Sequence, residues 1–160
     1  MVDKNKACID FLITCPAIQN SPLYFNFTQA EDDNKQFVAT GNEKTLNKKF
    51  VDGSVQKRYT FTIIDYRSVA YQAIVKDPEF IENNENLEEL LDVQSFIEWL
   101  EEQADAYNFP DFGEDCFIED MRTTTESPNL NGVDTSLTPA LAKYSISVQI
   151  DYIDYSKRNH

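Results

Sequence analysis

The sequence predicts an α+β fold, with a mixed, mostly antiparallel sheet of about four to six strands flanked by an N-terminal helix and one acidic amphipathic helix. Three stretches carry that expectation. In YSISVQIDYIDY, residues 144–155, the side chains of Tyr144, Ile146, Val148, Ile150 and Tyr152 alternate with Ser145, Ser147, Gln149 and Asp151, the period of a strand with one dry face. RYTFTIIDY, residues 58–66, is equally rich in β-branched and aromatic residues but has apolar side chains on both faces, as a more central strand does. Val93, Phe96, Ile97, Leu100 and Ala104 recur at helical spacing, with Glu98, Glu101, Glu102 and Asp105 turned away from them.

Length and composition are consistent with one self-sufficient domain covering residues 1–160. A chain of 160 residues buries about 70% of its unfolded surface on folding, enough for a core without metals or disulfides. Hydrophobic residues at 41% and aromatics at 12% place it among globular rather than disordered chains. Cys8, Cys15 and Cys116 are odd in number and lack metal-site spacing, so buried thiols in a reducing compartment are expected. MVDKNKACIDFLITCP has no long apolar core, and no later window approaches a membrane span, so the expectation is a chain kept in the cytosol and off the membrane. The net charge of −14 opposes tight binding to nucleic acid or to anionic lipid, since both depend on clustered Lys and Arg.

Taken in order, Asp3 is placed to cap a helix whose Cys8, Phe11, Leu12 and Cys15 form one apolar face and which Pro16 ends. Leu23, Phe25 and Phe27 alternate as a first strand; the polar run 31–34 then reads as the turn of a hairpin whose second strand is 36–40. Residues 41–54, GNEKTLNKKFVDGS, break the pattern and hold Lys44, Lys48 and Lys49. With Lys57 and Arg58, five of the fourteen basic residues fall within fifteen positions. They read as a solvated loop or edge hairpin, or as a protruding segment that meets an acidic partner.

Beyond the strand at 58–66, residues 68–75 are extended or helical, which the pattern does not decide. Residues 77–105 carry eleven Asp or Glu and no Lys or Arg, and the helix is expected at about 92–107, capped by Asp92 or by Ser95 with Glu98. Asn108-Phe109-Pro110 stops it, 116–125 reads as a strand, and 127–139, with its Asn131-Gly132 turn dipeptide, reads as a long polar connection. The closing KRNH reads as a frayed tail.

The chemistry-bearing patterns are thin. His160 is the single histidine and the four glycines are scattered, which leaves no histidine triad, multi-His metal site or phosphate-cradling loop. Asp111-Phe112-Gly113 spells part of a kinase signature whose other motifs are missing. Asp111, Glu114, Asp115, Glu119 and Asp120 fit no EF-hand spacing and read as a solvated acidic turn. No catalytic residue, cofactor or metal is expected, and the chain is not expected to be an enzyme.

The order of elements, with the phrases DFLITCPAIQNSPLYFNF, GSVQKRYTFTIIDYRS, NFPDFGEDC and NLNGVDTSLTPALAKYSISVQIDYID, resembles tail terminator (tail completion) proteins, minor structural proteins of tailed phages and prophages of Gram-positive bacteria. That resemblance implies a homo-oligomeric ring, usually a hexamer, assembled in the host cytoplasm and carried in the virion at the neck. Such a ring caps the tail tube protein, ends tail polymerisation, and meets the neck or connector protein, together with the sheath protein where the tail contracts. DNA passes through it without specific binding. Under this reading Glu98, Glu101, Glu102 and Asp105 are candidates for the channel lining, because phosphates slide past carboxylates. Lys44, Lys48, Lys49, Asn131, Gly132 and Asp134 are candidates for contacts with the tube or a neighbouring subunit, since ring closure uses heterologous surfaces. A stopper or adaptor of the neck, or an acidic inhibitor that mimics DNA, are the alternatives.

Overall fold

A computed structural model describes residues 3–19, 23–25, 35–69, 85–124, 129–134 and 140–157. Helices α1 (Lys4–Leu12), α2 (Pro16–Gln19) and α3 (Glu85–Asp105) accompany strands β1 (Leu23–Phe25), β2 (Lys35–Lys49), β3 (Val55–Val69), β4 (Cys116–Thr123), β5 (Asn129–Asp134) and β6 (Ala140–Asp154). The sheet runs β1-β2-β3-β6-β4, and β5 also pairs with β6. It is mixed, because β1 pairs in parallel with β2 while the other ladders are antiparallel.

β6 is the element around which the sheet is built. Its alternation is borne out: Tyr144, Ile146, Val148, Ile150 and Tyr152 are all buried. One edge pairs with β3 from Val69↔Ala140 to Val55↔Asp154. The other edge is divided, with β5 on residues 141–145 and β4 on residues 148–154. Both β3 and β6 are therefore interior strands, and their inward side chains, with Phe37 and Met121, form the sheet's share of the core.

The helices close that face. Asp3 caps α1 by accepting from the amides of Asn5 and Lys6. Cys8 and Leu12 are buried, and Phe11 meets Trp99 of α3 at 5.1 Å. α3 lies over β4 and β3 with Val93, Phe96, Ile97 and Leu100 buried and Ala104 half-buried. Phe112, which follows it, packs edge-on against Tyr59 and Tyr152 at 5.7 and 5.4 Å, so its place beside Asp111 and Gly113 serves packing.

Four local expectations are corrected. α1 ends at Leu12, and Pro16 opens α2 instead of ending α1, since the first helical turn needs no amide there. α3 starts at Glu85, seven residues before Asp92, because ENLEELLD is made of helix formers with no breaker to stop it. β1 and β2 are parallel and make no hairpin: side-chain alternation carries no strand direction, and β2 gives its antiparallel edge to β3. Residues 129–134 of the supposed polar connection form β5, which supplies backbone partners to the half of β6 that β4 leaves free. Within it, Asn131-Gly132 makes a register irregularity between Leu130 and Gly132 in place of a turn. Residues 70–75, 26–34 and 135–139 lie outside the described residues.

Candidate functional site

The segment that broke the sequence pattern is the outer half of the β2–β3 hairpin. β2 continues to Lys49 with register shifts between Ala39 and Glu43 and between Thr45 and Lys49, and the chain turns through residues 50–54. The turn is closed by the Phe50 amide donating to the Ser54 carbonyl (2.9 Å) and the Gly53 amide donating to the Phe50 carbonyl (3.0 Å). Asp52 Oδ1 accepts from the Ser54 amide at 3.0 Å and from its hydroxyl at 2.6 Å. Gly53 has φ of 90°, a left-handed conformation that a side chain would strain.

The turn thrusts apolar groups into water. Val51 is fully exposed at 103% and Phe50 is 40% exposed. Grooves lie on both sides of these two residues. One, of about 420 Å³, is walled by Ile153 and Tyr155. The other, of about 580 Å³, is walled by Thr45 and Val55 and carries Lys49, Lys57 and Lys157 against the single carboxylate of Asp154. On a chain of net charge −14 this is a concentration of opposite sign.

One lysine of the groove is neutralised by structure and two are not. Lys57 Nζ pairs with Asp154 at 3.0 Å. Burial would raise the Asp154 carboxyl, but the hydroxyl and amide of Ser156 and the Lys57 ammonium outweigh it and hold it at about 2. Among the described residues Lys49 and Lys157 have no ion pair, and neither does Lys44 farther along β2.

The hairpin base is anchored from below. Lys4 of α1 reaches Glu43 of β2 at 2.7 Å and stands over the rings of Phe112 and Tyr152 at 5.8 and 5.4 Å. Burial would raise Glu43, yet Lys4 outweighs it and leaves the carboxyl below its usual range. Burial is the first cause that raises Cys8, Tyr59 and Tyr152 well above their ordinary values, so these groups stay protonated at neutral pH. The Tyr59 hydroxyl donates to Asn5 Oδ1. A neutral thiol and phenol packed among aromatic rings offer no nucleophile.

Replacing Lys57 with Met tests the groove's electrostatics. Asp154, freed of the ammonium, is expected to titrate above its present value of about 2, toward the ordinary 3.8. Because the folded value is the lower one, its stabilisation is complete above 3.8 and is lost as pH falls to about 2. Glu43 acts in the same direction. Carboxyl NMR titration reads the shift; an unchanged Asp154 in the variant would assign the depression to Ser156 alone.

The other face of the sheet is polar and half-exposed. Arg58 grips Asp151 through Nε (2.7 Å) and Nη2 (3.2 Å), Arg122 Nη2 lies 3.8 Å from the same carboxylate, and the Thr62 and Ser147 hydroxyls meet at 3.1 Å. With the Gln149 amide oriented by its neighbours, its oxygen accepts from Arg58 Nε at 3.2 Å and from Arg122. Asp151 and Gln149 thus meet the two guanidinium groups on this face.

The structure separates the contact candidates into two places. Lys44 and Lys49 are exposed at the hairpin, and Lys48 belongs to the same strand. Asn131, Gly132 and Asp134 lie in β5, against residues 141–145 of β6, whereas the hairpin turn adjoins Asp154. Nine residues of strand separate Ser145 from Asp154, roughly 30 Å. Lys157 falls in the KRNH stretch that reads as a frayed tail, yet it lines the groove beside the hairpin turn. Glu98, Glu101, Glu102 and Asp105 are all exposed on the outer face of α3, with no ion-pair partner among the described residues.

Among the described residues no three His, Cys, Asp or Glu side chains gather where they could hold a metal ion, and no helix is long and apolar enough to cross a membrane. No family model and no curated protein matches this chain.

Proposed function

We propose that this protein is a structural virion protein of a tailed phage, a tail terminator whose copies form a ring that caps the tail tube, stops its growth and joins tail to neck. The observation that carries the reading is the β2–β3 hairpin, which presents two exposed apolar side chains and lysines that have no ion pair among the described residues, on an otherwise acidic subunit. An enzyme gathers polarised groups in a cleft; here the titratable groups with the largest upward shifts are buried and neutral, while the exposed surface is built for contact. The resemblance of the sequence phrases supplies the kind of assembly, and the α+β fold agrees with it.

Deleting the gene from the phage or prophage and imaging the particles tests the proposal. Overlong tails without heads are the expected result. Tails of normal length that fail to join heads would assign the protein to a stopper or adaptor, and normal virions would reject a role in the neck altogether.

A further inference from the structure

Two surfaces of this subunit are unsatisfied in complementary ways. The first is the groove beside the hairpin turn, where Lys49 and Lys157 are exposed next to Phe50 and Val51 and have no ion pair among the described residues. The second is the outer face of α3. Glu98, Glu101, Glu102 and Asp105 follow i, i+3, i+4, i+7 spacing, so they form one ridge about 10 Å long. Three of them fall in the last five residues of the helix, where the backbone dipole is already negative, and the last turn holds no basic residue. Carboxylates at that end oppose the helix. Nothing among the described residues compensates them, and a cation brought by another molecule would.

We infer that the lysine groove beside the β2–β3 hairpin turn receives the acidic outer face of α3 from a second copy of this chain. Each copy then offers one groove and one helix face, which makes the contact head to tail and able to close a ring. Charge complementarity chooses the occupant: Lys49 and Lys157 meet the ridge of carboxylates while Phe50 and Val51 lie alongside it. This rests on the ring reading and places the α3 carboxylates between subunits instead of along the channel. A wall that only water and phosphate pass would leave them uncompensated.

The test uses two charge-reversed variants of the full chain and measures self-association by sedimentation and native mass spectrometry at low salt. One carries Lys49→Glu with Lys157→Glu, the other Glu102→Lys with Asp105→Lys. All four positions are exposed, and circular dichroism and melting curves verify that each variant folds. Each alone is expected to associate about 100-fold more weakly than wild type, because the groove variant sets like charges face to face and the helix variant cancels the ridge's net charge and places two lysines against the groove. A chain carrying all four changes regains association, and mixing the two variants gives assemblies that alternate between them. Variants that assemble as wild type does, or a four-fold change that fails to restore association, would overturn the contact, as would a wild-type chain that stays monomeric at every concentration. The fate of the ring reading is separate: it is decided by tail length in the deletion phage, whichever surfaces join the copies.

Discussion

Replacing Asp65 with Ala is expected to cost about 3–5 kcal/mol of folding stability, the usual cost of leaving buried charge with a partner removed. Asp65, Arg67 and Lys35 are 3%, 8% and 2% exposed, inside the same face of the sheet as Phe61 and Ile63. Arg67 donates to Asp65 through Nε at 2.9 Å and through Nη2 at 3.1 Å, and Lys35 Nζ lies 3.9 Å away across the β2–β3 ladder. Both cations pull on one carboxylate. Without it two buried cations keep one counter-charge fewer in a low-dielectric setting where charge separation is expensive. With a domain stability of about 5–15 kcal/mol, the loss takes about a fifth of the total or more. Urea denaturation at neutral pH measures it. The triple replacement Lys35→Met, Asp65→Leu and Arg67→Met removes these three charges together and should recover part of the loss. An Asp65→Ala protein with an unchanged midpoint would show that these charges are hydrated despite their burial.

Phe61→Ala should be comparably severe, again about 3–5 kcal/mol. Phe61 is 2% exposed at the middle of β3, stacked on Phe37 at 4.8 Å and tilted against Tyr59 at 6.0 Å; Phe37 in turn stacks on Phe25 at 5.9 Å. Removing the ring takes away its own burial and opens a void that neighbours on three strands cannot fill together, because their backbones are fixed by the β1-β2-β3-β6 ladders. A thermal melt of the variant against Thr60→Ala, one residue away on the half-exposed face, separates the void from any general weakening of β3. Equal losses at the two positions would contradict the assignment of the faces.

That contrast between positions 60 and 61 also marks how far the sequence could be read. Period-two alternation gave the buried face of β6, apolar side chains on both faces marked β3 as an interior strand, and helical spacing gave the buried stripe of α3, because these are written in each element's own side chains. Period two also carries Asp65 and Arg67 to the face of Phe61 and Ile63, so the buried ion cluster was within reach of the pattern. Lys35 joins them only through the pairing Lys35↔Asp65, which no local pattern contains.

Charge was legible at the site, and geometry was not. The cluster of lysines in residues 41–58 and the acid run of 77–105 are plain in the chain; the first reads as a solvated loop or a segment meeting an acidic partner, the second as a candidate channel lining. That Lys157 would lie across the hairpin turn from Lys49 depends on β6 ending beside the start of β3, a relation between residues about a hundred positions apart. That β5 would take the 129–134 segment depends on β4 being too short to cover β6, a matter of lengths summed over three strands.

By itself, then, the sequence determined the fold class, the inward faces of β6 and α3 and the sign of each surface, since these follow from local period and composition. Strand direction, strand order and the meeting of Lys49, Lys57 and Lys157 in one groove were decided by the tertiary structure. They depend on which distant backbone edges satisfy one another's hydrogen bonds, and that selection is made by the whole sheet at once.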